Sequence, residues 1–205
     1  MMKGFKQVLT EAKEKVVFAF GRFNPPTTGH EKLINKVASV AGSSDYRIYP
    51  SFTKNPTKDP LPHALKIAYM RKMFPKHARK IIADQDATTA MAIATKLYDE
   101  GYKNLVMVAG SDRIKEFQKL LDTYNDVKGK RHGYYKFASI DVVSAGERDP
   151  DAEGVAGMSA SKMRSAAASG DISVFKSGLP KGFKGAERLF KDVRKGMGLR
   201  ESSKY

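Results

Sequence analysis

Residues 16–41 read VVFAFGRFNPPTTGHEKLINKVASVA, and the fold is decided in this stretch. Val16-Val17-Phe18-Ala19-Phe20 is a short β-branched and aromatic run, of the kind that fills a buried strand of a parallel sheet. Gly21 ends it. Beyond a turn holding Pro25-Pro26, Thr28 precedes Glu31 by three residues, a capping-box spacing, and Leu33, Ile34, Val37 and Val40-Ala41 recur at helical intervals. The pattern is strand, tight turn, helix, with His30 in the helix's first turn. A helix start presents free backbone N–H groups and a partial positive charge, so a histidine among them makes a cradle for phosphate oxygens.

Working outward, Tyr46–Pro50 reads as a second strand, followed by the proline- and lysine-rich loop SFTKNPTKDPLP over residues 51–62. Helices are expected over His63–Phe74 and Thr88–Glu100, with a short third strand at Lys80–Ala83 between them. Asn104–Ala109 is the clearest strand of the second half. It runs into Gly110-Ser111-Asp112-Arg113 and a helix bearing Ile114, Phe117 and Leu120-Leu121, a second strand–turn–helix unit. Tyr135–Val143 is consistent with one more strand. Then come Gly157-Met158-Ser159-Ala160-Ser161-Lys162-Met163-Arg164 and a helix stopping at Gly170, which Ser159 or Ser161 can cap. Strands alternating with helices predict an α/β, Rossmann-like, doubly wound and mainly parallel sheet, whose ligand lies at the carboxyl edge. The expected organisation is an N-terminal helix or leader over 1–15, one domain over 16–170 and a basic helical extension over 171–205, with a helix near 185–194 that packs on the domain or binds a partner.

The chain has 205 residues, a formal charge of +15 and no cysteine. That length holds one α/β domain with small appendages. Without cysteine there are no disulfides, thiolate zinc sites or thiol nucleophiles. No apolar run reaches the ~20 residues that span a bilayer, and residues 1–15 lack the apolar centre of a secretion signal, so a cytoplasmic protein is expected. The basic field draws polyanions, including nucleotide triphosphates and nucleic acid; a solvated, lysine-rich surface accounts for the same charge. His63, His77 and His132 show no ligand spacing and are expected to be solvated or capping. Lys128, Lys130 and Arg131 cluster in a polar, surface-loop segment.

Gly21-Arg22-Phe23-Asn24-Pro25-Pro26-Thr27-Thr28-Gly29-His30 resembles the G-x-F-[DN]-P-x-[HT]-x-G-H signature of the nucleotidylyltransferase superfamily. Gly110-Ser111-Asp112 is similar to the G-x-D of nicotinamide mononucleotide adenylyltransferases, and Met158–Arg164 to the superfamily's I-S-[ST]-[ST]-x-[IV]-R motif. The departure is Thr27, where many members carry histidine and phosphopantetheine adenylyltransferases carry threonine. The resemblance implies transfer of a nucleoside monophosphate, AMP from ATP ahead of CMP from CTP, to a phosphate-bearing acceptor such as nicotinamide mononucleotide, with Mg2+ and release of pyrophosphate. It implies His30 and Thr27 on the α- and β-phosphates, and Ser159, Ser161 and Arg164 on β and γ. Gly21, Phe23, Gly29, Gly110 and Asp112 would line the nucleotide. Taken alone, Asp112 reads first as a helix cap. Arg22, Lys54 and Lys58 are candidate phosphate contacts, the two lysines reading equally as parts of a solvated loop.

A competing class is a non-catalytic basic protein on the same fold, bound to nucleotide, nucleic acid or capsid. Residues 2–12 are similar to the capsid-targeting leaders of proteins packaged in large tailed phages, with Leu9-Thr10-Glu11 similar to a prohead-protease cut site. Ser159-Ala160-Ser161-Lys162 also fits the S-x-x-K of penicillin-binding enzymes, but its partner motifs are missing. Aminoacyl-tRNA synthetases share the phosphate logic, and this chain has no room for their tRNA-reading domains.

Overall fold

The computed structural model describes residues 13–146 and 158–199. Four parallel strands, β1 (Lys13–Gly21), β2 (Asp45–Pro50), β3 (Tyr102–Ala109) and β4 (Ser139–Ser144), form one sheet in the order β2-β1-β3-β4. Strand order reverses between β1 and β3. Their last paired residues are Phe18 and Met107; carried three residues further, that register sets Gly21 level with Gly110 at the carboxyl edge, the crevice where open α/β sheets bind ligands.

The alternation of side chains along β1 and β3 divides the core. Val17, Ala19, Val106 and Val108 face a layer made by α1 (Thr28–Ala41), α2 (His63–Met73), α5 (Ala160–Ser169), α6 (Ile172–Ser177) and α7 (Ala186–Gly196). Val16, Phe18, Leu105 and Met107 face α3 (Ala90–Asp99) and α4 (Ile114–Thr123). The sheet is thus covered on both sides, as its continuous apolar strands require. The segment expected as an extension joins the first layer, with Phe175, Leu189, Phe190 and Val193 buried there. No described helix is long and apolar enough to cross a membrane.

Four local expectations are corrected. Lys13–Lys15 open β1 and do not end a helix; Lys13 and Lys15 pair with Tyr102 and Asn104 of β3. The leader reading of residues 2–12 lies outside the described residues. Residues 80–83 make no strand: a 3-10 turn started by Pro75 runs to Lys80, and only Ile81 bridges, to Ile48. Strand β4 starts at Ser139, because Tyr135 and Phe137 are drawn into the core, with the Tyr135 hydroxyl donating to the Leu121 carbonyl at 2.8 Å and the Asn125 side chain holding Phe137 N and O. His63 and His77 are buried, 7 % and 8 % exposed; His77 bonds Tyr46 and Asn35, and His63 bonds the Pro50 carbonyl.

One polar cluster ties β2 to β3. The Asp45 carboxylate accepts from Lys80 at 2.5 Å, Tyr102 at 2.6 Å and Arg47 at 2.9 Å. Burial works to raise its pKa, but the bonds from Lys80, Tyr102 and Arg47 outweigh it and hold the group well below its ordinary 3.8. A depressed carboxylate contributes stability that is complete above the unfolded value and is lost as pH falls through the folded one. Unfolding followed against pH should therefore show stability declining below about pH 4. Asp45→Asn should cost about 1–2 kcal/mol near neutrality and flatten that acid limb.

Candidate functional site

The carboxyl edge gathers the two halves of a phosphate cradle. In the first half, Thr27 is the N-cap of α1 and His30 is its third helical residue. The capping box therefore sits one residue earlier than the Thr28–Glu31 spacing suggests, and histidine takes the part usually played by glutamate. The Thr27 backbone N–H donates to His30 Nδ1 at 3.0 Å, and the Thr27 hydroxyl lies 3.1 Å from the same nitrogen. A ring nitrogen accepting an N–H carries no proton, so the ring's proton belongs on Nε2. Thr27 is 1 % exposed. Its hydroxyl meets His30 at both the ring nitrogen and the backbone N–H, which orients the ring at the helix start.

The turn is held open by its own interior. Phe23 has φ 48°, in the left-handed region that costs a bulky residue strain. That turn tucks the ring inside, 4.9 Å from the His30 ring and over Gly21, where a Cβ would meet it at 3.3 Å. Asn24, 1 % exposed, clamps the chain on its other side: its amide donates to Leu61 O and accepts from Leu61 N, both at 3.0 Å.

The second half comes from α5. Ser159 caps this helix, accepting from Lys162 N at 3.1 Å, and Ser161 and Lys162 are exposed in its first turn. Arg164, one turn on, donates from Nη1 to the Asn24 carbonyl at 2.8 Å and from Nη2 to Ser161 Oγ at 3.1 Å. Burial lowers its pKa and the nearby Arg22 cation lowers it further, with Asp59 opposing. Two motifs 140 residues apart are in direct contact. From the far side of the crevice, Asp112 folds back on the β3 turn so closely that a Cβ on Gly110 would lie 2.7 Å from its carboxylate oxygen. Asp112 is exposed and does not cap α4, whose start has no side-chain cap.

The loop after β2 starts at the cradle, with Ser51 N bonding Gly21 O at 2.7 Å. Lys54 and Lys58 are exposed on it, as is Arg22 in the turn after β1. The residues that sequence reasoning missed are mostly buried. Lys66 is fully buried, its ammonium donating to Ser51 O at 2.8 Å, and burial with the Arg22 charge pushes its pKa down to about 8 against the opposing pull of Asp59. Gly178, from the C-terminal segment, accepts from Thr28 N at 2.9 Å. A Cβ there would overlap Met158 and Met163 at 2.4 and 2.6 Å. Only the glycine between two short helical segments hinted at it.

Among the described residues no three His, Asp or Glu side chains converge as metal ligands. The cradle's donors are backbone N–H groups, hydroxyls, an imidazole N–H and a guanidinium. They suit anionic oxygens.

Against known proteins, the sequence model of the cytidylyltransferase-like family matches residues 18–172. A protein of Sulfurimonas denitrificans assigned as a nicotinate-nucleotide adenylyltransferase is 26% identical over 114 residues, which is 53% of this chain and 62% of that one. The fold is similar to a crystal structure from Vibrio parahaemolyticus, assigned as the same kind of enzyme, with a TM-score of 0.54 and 14% identity over 86% of this chain and 98% of that one.

Asn24→Ala leaves the Leu61 N–H and C=O buried without partners and should destabilise the protein by about 2–4 kcal/mol in denaturant titration. Asn24→Asp should be no better, since a carboxylate cannot donate to the Leu61 carbonyl.

Proposed function

Because the chain belongs to the cytidylyltransferase-like family, we propose that it is a nucleotidylyltransferase: an acceptor phosphate attacks the α-phosphorus of a nucleoside triphosphate and pyrophosphate leaves. The observation that carries this reading is the 2.8 Å bond from Arg164 to the Asn24 carbonyl, which joins a helix-start histidine to a serine- and arginine-bearing helix start in one cradle. Two anions must be brought together while charge grows on the bridging oxygens, so positioning and electrostatic stabilisation supply most of the catalysis. The new P–O bond forms between acceptor oxygen and α-phosphorus; the bond to the β-phosphate oxygen breaks, its electrons leaving with pyrophosphate. His30, with its proton on Nε2, donates to the α- and β-phosphate oxygens, and Thr27 holds the ring in that tautomer. Ser159, Ser161 and Arg164 hold the β- and γ-phosphates. Gly110 leaves room at the sugar and Asp112 accepts from its hydroxyls.

Among the described residues no carboxylates group as a metal-ligand set, so the oxygens of the triphosphate would hold Mg2+, which would supply screening of the leaving group's charge. No base is required, because the acceptor phosphate is already an anion. The family description names cytidylyl transfer and the two relatives are assigned as adenylyltransferases acting on nicotinate nucleotide. With the G-S-D element at 110–112, the relatives favour ATP as donor and a pyridine mononucleotide, such as nicotinamide mononucleotide, as acceptor, a role in making dinucleotide cofactors.

Pyrophosphate release is the test, with ATP or CTP and a panel of nicotinamide mononucleotide, nicotinate mononucleotide, phosphopantetheine and phosphocholine. ATP with a pyridine mononucleotide should turn over, and His30→Ala should reduce kcat by 100-fold or more, an order set by losing a preorganised donor. Unchanged turnover in that variant defeats the mechanism; turnover with CTP and phosphocholine alone reassigns donor and acceptor.

A further inference from the structure

Two adjoining hollows lie on the C-terminal layer. Helix α2 and the segment 182–192 enclose a hollow of about 710 Å³, which continues past Gly182, Phe183 and Lys184 into another of about 530 Å³. No cradle residue lines either one.

Phe183 stands where the two hollows meet. Its ring is half-buried, edge-on to Tyr69 at 6.4 Å, and lies so close over Gly185 that a Cβ there would meet it at 2.7 Å. The glycine therefore lets the far end of an aromatic ring come close to the backbone, in the run Lys181-Gly-Phe-Lys184-Gly that flanks the ring with two lysines in sequence. The charges around it are unbalanced. Both acidic residues of the lining are engaged: Asp192 accepts from the Tyr69 hydroxyl at 2.5 Å and lies 3.6 Å from Arg188, and Glu187 pairs with Lys176 at 3.0 Å. Lys72, Lys181 and Lys184 are exposed, and none has a carboxylate partner among the described residues.

We propose that this groove binds single-stranded nucleic acid, with an unpaired base against Phe183 and the flanking phosphates on Lys72, Lys181, Lys184 and Arg188. A ring fixed in a basic groove is the stacking platform that single strands use. An acidic peptide would leave the ring without a partner, and a duplex keeps its base faces stacked away from a ring set down between two walls.

The proposal is tested by fluorescence anisotropy of labelled dT20 with the full-length protein across 50–200 mM NaCl. Expected are binding that weakens steeply with salt, at least a tenfold loss in Lys181→Glu/Lys184→Glu with the slope of log K against log salt reduced by about 1.4, about 0.7 for each of two contacts, and about a tenfold loss in Phe183→Ala. The charge-matched variant Lys115→Glu/Lys119→Glu, on α4 across the sheet, should bind nearly as the wild type. His30→Ala should also bind normally, which separates this site from the nucleotide cradle and its failure from that of the transferase reading. Absence of binding at 50 mM NaCl overturns the proposal. So does equal loss in the two charge-reversal variants, which would make the binding a property of the net charge. Equal affinity for a 20-base-pair duplex or for polyglutamate overturns it in favour of a general polyanion surface. Circular dichroism of each variant checks folding, and the lysine variants, being on the surface, keep the test decisive if Phe183→Ala unfolds.

Discussion

The guanidinium of Arg164 against the Asn24 carbonyl is the contact on which the site depends. It closes a loop of 140 residues, and it does so without a carboxylate. A backbone carbonyl holds the cation in place but leaves its charge uncancelled, so the field of Arg164 remains directed at whatever anion enters beside it. A partner aspartate in the same place would have fixed the side chain equally well and neutralised it. The arrangement spends only one of the guanidinium's five N–H donors on the turn and one on Ser161.

For that carbonyl to be in the right place, the Gly21–Thr27 turn must be rigid, and three features make it so. Phe23 takes a left-handed backbone conformation and fills the turn's interior with its ring. Asn24 replaces a strand partner for Leu61 with its side-chain amide. Thr27 and His30 then satisfy each other at the helix start, and Gly178 takes the Thr28 N–H. The helix start is thereby tied to the C-terminal layer, whose residues Phe175, Leu189 and Val193 are buried in the same core as Val17 and Ala19. A segment that reads as an appendage is a wall of the site.

Much of this was legible in the sequence. The apolar run 16–20, the glycine after it and the periodic apolar residues of 33–41 state a strand, a turn and a helix outright, and the cap of α5 is one of the two serines, Ser159 and Ser161, that the sequence offers for it. What stayed hidden depends on tertiary partners. The capping box was misplaced by one residue because an imidazole, not the glutamate of the usual pattern, completes it. Lys66 reads as a surface residue, since nothing local says that the Ser51 carbonyl will be waiting for its ammonium. Tyr135 and Phe137 alternate like a strand, yet Leu121 and Asn125 capture them first. Gly178 and Asn24 carry ordinary local signals, and only the packed chain reveals that a side chain at 178 would strike two methionines, or that Asn24 clamps residue 61.

The central claim is that two distant helix starts act as one phosphate site. The most direct measurement is a double-mutant cycle on binding of a non-hydrolysable ATP analogue by isothermal titration, with His30→Ala, Arg164→Ala and the pair. A shared site predicts that the two losses are non-additive by more than about 0.5 kcal/mol, the margin within which independent sites add. Losses that add within that margin, or an analogue that binds the double variant as tightly as the wild type, would contradict the account.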